Sequence, residues 1–150
     1  MKRIIWSLLA LALLSTSCLD EPVDQNAVDR ERILNYLADN NLTAEEDPSG
    51  LFYIIDQPGN DEHPILTDSV VVAYKGYLTN GSVFDETDPG ETIKFELADL
   101  IPGWQIGIPL LGKGGSGQFF IPSALGYGGF SFPGIPAYSV LIFDITLEDF

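Results

Sequence analysis

The chain has 150 residues and a formal charge of −15, with 22 acidic side chains against seven basic ones. So acidic a surface repels phosphate backbones, which argues against nucleic acid as a partner, and it disfavours lying flat on an anionic membrane. A single cysteine leaves no internal disulfide framework, and a mature chain of about 130 residues suffices for one core rather than two.

Lys2 and Arg3 precede an apolar run over residues 4–14 that is too short to span a bilayer as a stable helix. Small residues Ser15, Thr16 and Ser17 then lead to Cys18. This order predicts a secretory signal peptide over residues 1–17, and a cysteine directly after small residues suggests lipidation at Cys18, as in bacterial lipoproteins. Ser15 departs from the leucine usual three places before such a cysteine; an ordinary cleaved signal with an incidental cysteine is the alternative. Loss of residues 1–17 removes two positive charges and leaves −17, so membrane attachment is expected through lipid alone. The expected location is the cell envelope, on the periplasmic or surface side of a bacterial membrane.

Residues 18–28 are rich in acid and poor in core-forming side chains, and are read as a tether. Residues 29–40 carry a helical pattern in which Ile33, Leu34 and Leu37 share one face. Residues 45–50 have loop composition, which closes an N-terminal helix-and-loop unit over 29–50. From residue 51 the pattern turns to strands: 51–56, 70–78, 93–97, 118–121 and 140–147. Asn80-Gly81 is a hairpin-turn signal. Ile101, Trp104 and Ile108 recur at helical spacing, with Gly103, Gly107 and Pro109 keeping that helix short. Antiparallel strands with one short helix predict an α+β domain over 51–150, a sheet wrapped over that helix, with a short helix before it.

Single aromatics stand in separate elements of this domain: Tyr74 in VVAYKGYL, Phe84 with Asp85 in GSVFDET, Trp104 in LIPGWQIGI, Tyr127 in IPSALGYGG and Phe143 in SVLIFDITL. In order and local frame, this set resembles the FKBP-type peptidyl-prolyl cis-trans isomerases over the last half to two-thirds of the chain. The resemblance implies a proline-gripping pocket with Trp104 as floor and Tyr74, Phe84 and Phe143 as walls. It implies Leu100 and Ile101 along one side, the Ile101 N–H offered to a substrate carbonyl, and Ile135 closing the far side. Tyr127 would donate from its phenol at the rim, and Asp85 would orient the bound amide at the cavity edge. Asp85, Tyr127 and Phe84 are thus the expected catalytic set. Ile93 stands where many members place an aromatic wall residue, and Phe130 and Phe132 replace the more polar tip of the loop that arches over the pocket. Phe132 is expected to contact substrate there, and bulky apolar residues before proline to be favoured.

Such a catalyst needs no nucleophile, metal or cofactor. Amide rotation passes a barrier of about 18–20 kcal/mol, breaks no bond, and is accelerated by binding the twisted amide better than either planar isomer. The implied partners are proline-containing segments of unfolded or exported proteins, along with the macrolide inhibitors typical of the family; a monomer is expected. A non-catalytic proline-binding holdase using the same pocket is the alternative, and an adhesive β domain with fully buried aromatics is a third reading.

Other residues read more plainly. His63 precedes Pro64 without clustered partners and is expected on the surface. Acidic residues 45–47 lack the spacing of a calcium loop. Gly112, Gly114, Gly115 and Gly117 lack the Lys-Ser/Thr of a phosphate cradle and indicate a tight turn.

Overall fold

The computed structural model describes residues 22–150. The expected signal peptide, Cys18 and most of the expected tether lie outside the described residues.

Helix α1 (Gln25–Asp39) opens the described chain. It starts four residues earlier than its apolar pattern predicts, so the tether expected over 18–28 is cut short. Asp24 is the cause: its carboxylate accepts the Asn26 and Ala27 N–H groups at 3.1 and 3.3 Å, satisfying donors a helix start leaves free. The helix ends at Asn40, followed by Asn41 in the left-handed region at φ 55°. Its buried stripe is Asp29, Ile33 and Leu37, at i, i+4 and i+8. Leu34, expected on that face, is instead partly exposed.

Seven strands form one antiparallel sheet: β1 (Glu45–Glu46), β2 (Phe52–Gln57), β3 (Ser69–Leu78), β4 (Val83–Glu86), β5 (Ile93–Glu96), β6 (Ser116–Ile121) and β7 (Leu141–Asp149). Their spatial order is β1-β2-β6-β7-β3-β4, with β5 also pairing with β3. β4 lies along Lys75–Tyr77 and β5 along Ser69–Val72. The acidic stretch expected as loop thus contributes a short edge strand. There Glu46 forms a bidentate pair with Arg30 of α1 at 2.8 and 2.9 Å, and Glu45 accepts the Tyr53 hydroxyl at 2.9 Å. The guanidinium holds the Glu46 carboxyl below its ordinary range. At the Asn80-Gly81 turn only Gly81 takes positive φ, while Asn80 bonds the Ser82 N–H through its side chain.

Both faces of the sheet are covered. On the concave face Val70, Val72, Phe119, Ile121, Phe143 and Ile145 pack on Trp104 and Ile108 of the central helical segment. That segment is α2 (Pro102–Gly107), continued by a 3-10 turn over Ile108–Leu110. Its fit to the sheet needs glycine: a Cβ on Gly103 would lie 2.6 Å from the Ile121 side chain. On the opposite face Ile33 and Leu37 of α1 cover Phe52, Phe120 and Ile142. This explains β7, where Leu141, Phe143, Ile145 and Leu147 are buried as alternation predicts, yet Ile142 is buried as well. The expected α+β sheet over a short helix is present, with a second helix docked on its back.

Candidate functional site

A cavity of about 430 Å³ opens on the concave face above α2. It is lined by Tyr74, Phe84, Asp85, Phe95, Asp99, Leu100, Ile101, Trp104, Tyr127, Ile135 and Phe143. Six parts of the chain contribute: β3, β4, β5 with the segment leading into α2, α2 itself through Trp104, the loop between β6 and β7, and β7.

Trp104 is buried at the base, and three rings stand edge-on around it. Tyr74 lies at 5.1 Å and 82°, Phe143 at 5.2 Å and 89°, and Phe95 at 6.1 Å and 87°. Edge-to-face pairs at these spacings are favourable beyond the area they bury, by about 0.5–1.5 kcal/mol each, and they set ring orientations. The wall is therefore a shaped surface. The Trp104 Nε1–H is out of solvent and finds no hydrogen-bond partner among the described residues, which costs the desolvation of that donor.

Phe84 and Asp85 are consecutive, and in a regular strand their side chains would face opposite sides of the sheet. Both line the cavity because the pairing slips at this point: Gly76 opposes Asp85 and Tyr77 opposes Val83, which leaves Phe84 as an extra, bulged residue. Gly76 makes room for its ring, since a Cβ there would lie 2.7 Å from both Phe84 Cε2 and Phe143 Cε1.

Asp85 sits at the cavity edge, where its Oδ2 accepts the Tyr74 hydroxyl at 2.6 Å. Burial, then that hydrogen bond, pushes the Tyr74 phenol well above the ordinary tyrosine range. Tyr127 is also pushed up, first by burial and then by the Asp85 charge. Both phenols are accordingly protonated donors at neutral pH. The Tyr127 hydroxyl has no hydrogen bond to the described residues, and the Ile101 N–H likewise donates to none of them. Two unspent donors thus border an apolar space, with Asp85 and Asp99 as the charged groups of its lining.

Nine of the residues expected at a proline pocket are brought together here: Tyr74, Phe84, Asp85, Leu100, Ile101, Trp104, Tyr127, Ile135 and Phe143. Ile93 and Phe132 are not. Ile93 lies at the start of β5 and is 40% exposed, while Phe95, two residues on, supplies the aromatic wall. Ile93, expected to contact substrate, is thus outside the cavity lining. The period-2 placement of Ile93 and Phe95 on one strand face was the signal available for finding Phe95. Phe132 packs on the Tyr127 ring at 4.8 Å and remains half exposed, outside the cavity wall. Asp99 was not singled out, and a lone acid before an apolar pair gave no reason to do so. His63 is exposed, as expected, with Nδ1 3.0 Å from the Pro109 carbonyl oxygen.

Comparison with known proteins identifies the family. Residues 60–148 match the family model of the FKBP-type peptidyl-prolyl cis-trans isomerases. The chain is 44% identical over 100 residues to the FKBP-type peptidyl-prolyl cis-trans isomerase FkpA of Aeromonas hydrophila, covering 66% of this chain and 37% of that protein. It is 43% identical over 102 residues to FkpA of Escherichia coli strain K12, covering 67% and 38%. The match thus spans well under half the length of these relatives. Among solved structures, the crystal structure of FkpA from Escherichia coli aligns with a TM-score of 0.73 at 37% identity, over 84% of this chain and 59% of that one. The crystal structure of AtFKBP13 aligns with a TM-score of 0.66 at 30% identity, over 71% and 98%. With its fold, its aromatic cavity and its sequence in agreement, the chain belongs to the FKBP-type peptidyl-prolyl cis-trans isomerase family.

Proposed function

We propose that this chain accelerates rotation about X–Pro peptide bonds in exported proteins. The observation that carries the reading is the cavity itself: an apolar space with fixed aromatic walls, two unspent hydrogen-bond donors and a carboxylate at its edge. Cis and trans X–Pro differ by about 0.5–1 kcal/mol and interconvert over tens to hundreds of seconds unaided. A catalyst is thus useful if it favours the state between them. The proline ring lies on the Trp104 indole between Tyr74, Phe84 and Phe143. The twisted amide has lost resonance and its carbonyl is less dipolar, so it loses less than a planar amide on leaving water for these walls. The Ile101 N–H takes the carbonyl of a neighbouring residue and holds the segment in register. Tyr127 donates at the rim. Asp85 is held by Tyr74 and orients the bound amide without exchanging a proton. Selective binding of the twisted state lowers the barrier, and aligned donors in a dry site add to it.

A second reading has an observation of its own. Phe130 is 75% exposed and Phe132 49% exposed on the loop that carries Tyr127 and Ile135. Such aromatics suit a holdase that grips apolar segments around proline without turning them. Proline-limited refolding of a client protein separates the two. Substoichiometric chain speeds the slow phase if it is an isomerase, and Phe84→Ala/Asp85→Ala abolishes the effect. A holdase slows aggregation in proportion to its concentration and leaves the slow phase unchanged.

The anchoring proposal rests on the sequence of residues 1–18. Processing and lipidation at Cys18 would put the protein on an envelope membrane, and mass spectrometry of the mature N-terminus tests this. An unmodified residue at the cleavage point overturns the anchor.

A further inference from the structure

The isomerase reading leaves one buried ionisable group unused. Asp29 of α1 is fully buried, as is Ser123, and these two are the buried polar side chains among the described residues. Burying a carboxylate is costly unless its oxygens are fully engaged. Here they are: Oδ2 accepts the Ser123 N–H at 2.8 Å and the Ser123 hydroxyl. Oδ1 accepts from Gln25 Nε2 at 2.7 Å and Arg32 Nη1 at 3.3 Å.

These bonds lead to the pocket. The Ser123 carbonyl accepts the N–H groups of Gly126 at 3.0 Å and Gly128 at 2.8 Å, the residues on either side of Tyr127. A second path leaves α1 through Arg32, whose Nη1 donates to the Tyr138 carbonyl at 2.9 Å. Tyr138 holds φ 57°, a conformation non-glycine residues seldom adopt, and its N–H donates to the Gly128 carbonyl at 2.8 Å. Both paths from one helix therefore converge on Gly128. Between them stands Tyr127, whose hydroxyl has no hydrogen bond to the described residues; the ring is held by the backbone beneath it and by Phe132 packed on it at 4.8 Å.

Apolar packing of Ile33 and Leu37 would suffice to dock a helix, and a buried ionic network is weak evidence for stability alone. What such a network does supply is a single geometry. We infer that α1 braces the loop over the pocket, with Asp29 and Arg32 as positioning residues that set where the Tyr127 hydroxyl meets substrate. The inference rests on the isomerase reading, and it concerns a helix that lies before the residues matched by the family model.

The test uses the full mature chain with Arg32→Ala, Arg32→Lys and Asp29→Asn, each in the parent and in Tyr127→Phe. Exchange NMR on a proline peptide separates kcat from KM. Arg32→Ala is expected to lower kcat by about twofold to fivefold, no more than Tyr127→Phe itself does, with KM changed by less than about twofold, because the contact is spent on the twisted state. Arg32→Lys recovers part of the loss. In Tyr127→Phe the same substitution has no further effect, since the group it positions is gone. An equal loss in both backgrounds, or a lower unfolding midpoint with kcat intact, would reduce α1 to a structural support and overturn the inference. If the parent chain does not speed exchange, the isomerase reading fails on its own. The brace is then judged by the Tyr127 ring resonances, which must shift in Arg32→Ala; unmoved resonances sink it.

Discussion

Gly76→Ala places one methyl group at the point where two walls of the cavity meet. Gly76 has no positive φ, so alanine is free of backbone strain and the substitution isolates packing. The added Cβ would lie 2.7 Å from Phe143 Cε1 and Phe84 Cε2, and 2.8 Å from Phe84 Cζ. Carbon atoms rest about 3.5–4.0 Å apart, so roughly 1 Å must be found. Phe143 is buried on β7 with its ring against Trp104 at 5.2 Å and has nowhere to go. Phe84 sits in the bulge with the cavity beside it, and it yields inward. Overpacking of this kind costs about 1–3 kcal/mol. Against it stand the burial of one methyl, about 0.8 kcal/mol, and the stiffer unfolded chain, about 0.4–1 kcal/mol. The net expectation is a loss of up to about 2 kcal/mol in urea unfolding, together with a rise in KM for a proline peptide as Phe84 takes up the space of the ring. A variant as stable as the parent with unchanged kinetics would refute the account of Gly76 and of the bulge it serves.

Other consequences are equally direct. Tyr127→Phe removes a donor with no hydrogen bond to the described residues, so stability should hardly change while kcat/KM falls about twofold to tenfold, the worth of one hydrogen bond of about 0.5–1.5 kcal/mol. The Tyr127 phenol is raised above its ordinary value by burial and by Asp85, so turnover should stay level up to about pH 10. The fold favours the neutral phenol: its contribution to stability is complete below the ordinary value and lost as pH rises through the raised one. Unfolding midpoints of the parent and Tyr127→Phe should begin to diverge as pH passes the ordinary tyrosine value, with the gap complete once it has passed the raised one. Ile33→Ala, in the fully buried contact of α1 with the sheet, should cost about 2–5 kcal/mol, whereas Phe130→Ala should stay within about 0.5 kcal/mol; denaturant titration distinguishes them. Asp85 and Asp99 line the cavity without a lysine or arginine. Peptides with lysine beside the proline should therefore bind less tightly as salt rises, and Asp99→Asn should flatten that dependence.

That nine of the expected residues would line one cavity was legible in the chain because the family resemblance rests on single aromatics in distinct local frames. Tyr74, Trp104 and Phe143 each sit on an element whose periodicity predicts the face they occupy. What escaped depended on pairing between distant segments. The slip that turns Phe84 and Asp85 to the same side is a property of β4 against β3, not of either strand alone. Phe95 displaced Ile93 from the wall for a similar reason, since both share one face of β5 and only their position along β3 decides which reaches Trp104. Phe132 shows the limit of reading a loop, as its ring found Tyr127 rather than the cavity. In α1 an acidic residue on the apolar stripe reads as solvated until Ser123, 94 residues away, is seen to bond it. The early helix start escaped because its cap, Asp24, lies in the acidic stretch read as tether, and the apolar pattern that marks the helix begins later than its hydrogen bonds do.

The central claim is that this cavity turns X–Pro bonds rather than merely holding them. Exchange NMR on a peptide with a bulky apolar residue before proline tests it most directly, with the mature chain at catalytic concentration. Faster cis–trans exchange is expected, lost in Phe84→Ala/Asp85→Ala while the fold is retained. Saturable peptide binding with exchange at the uncatalysed rate would contradict it.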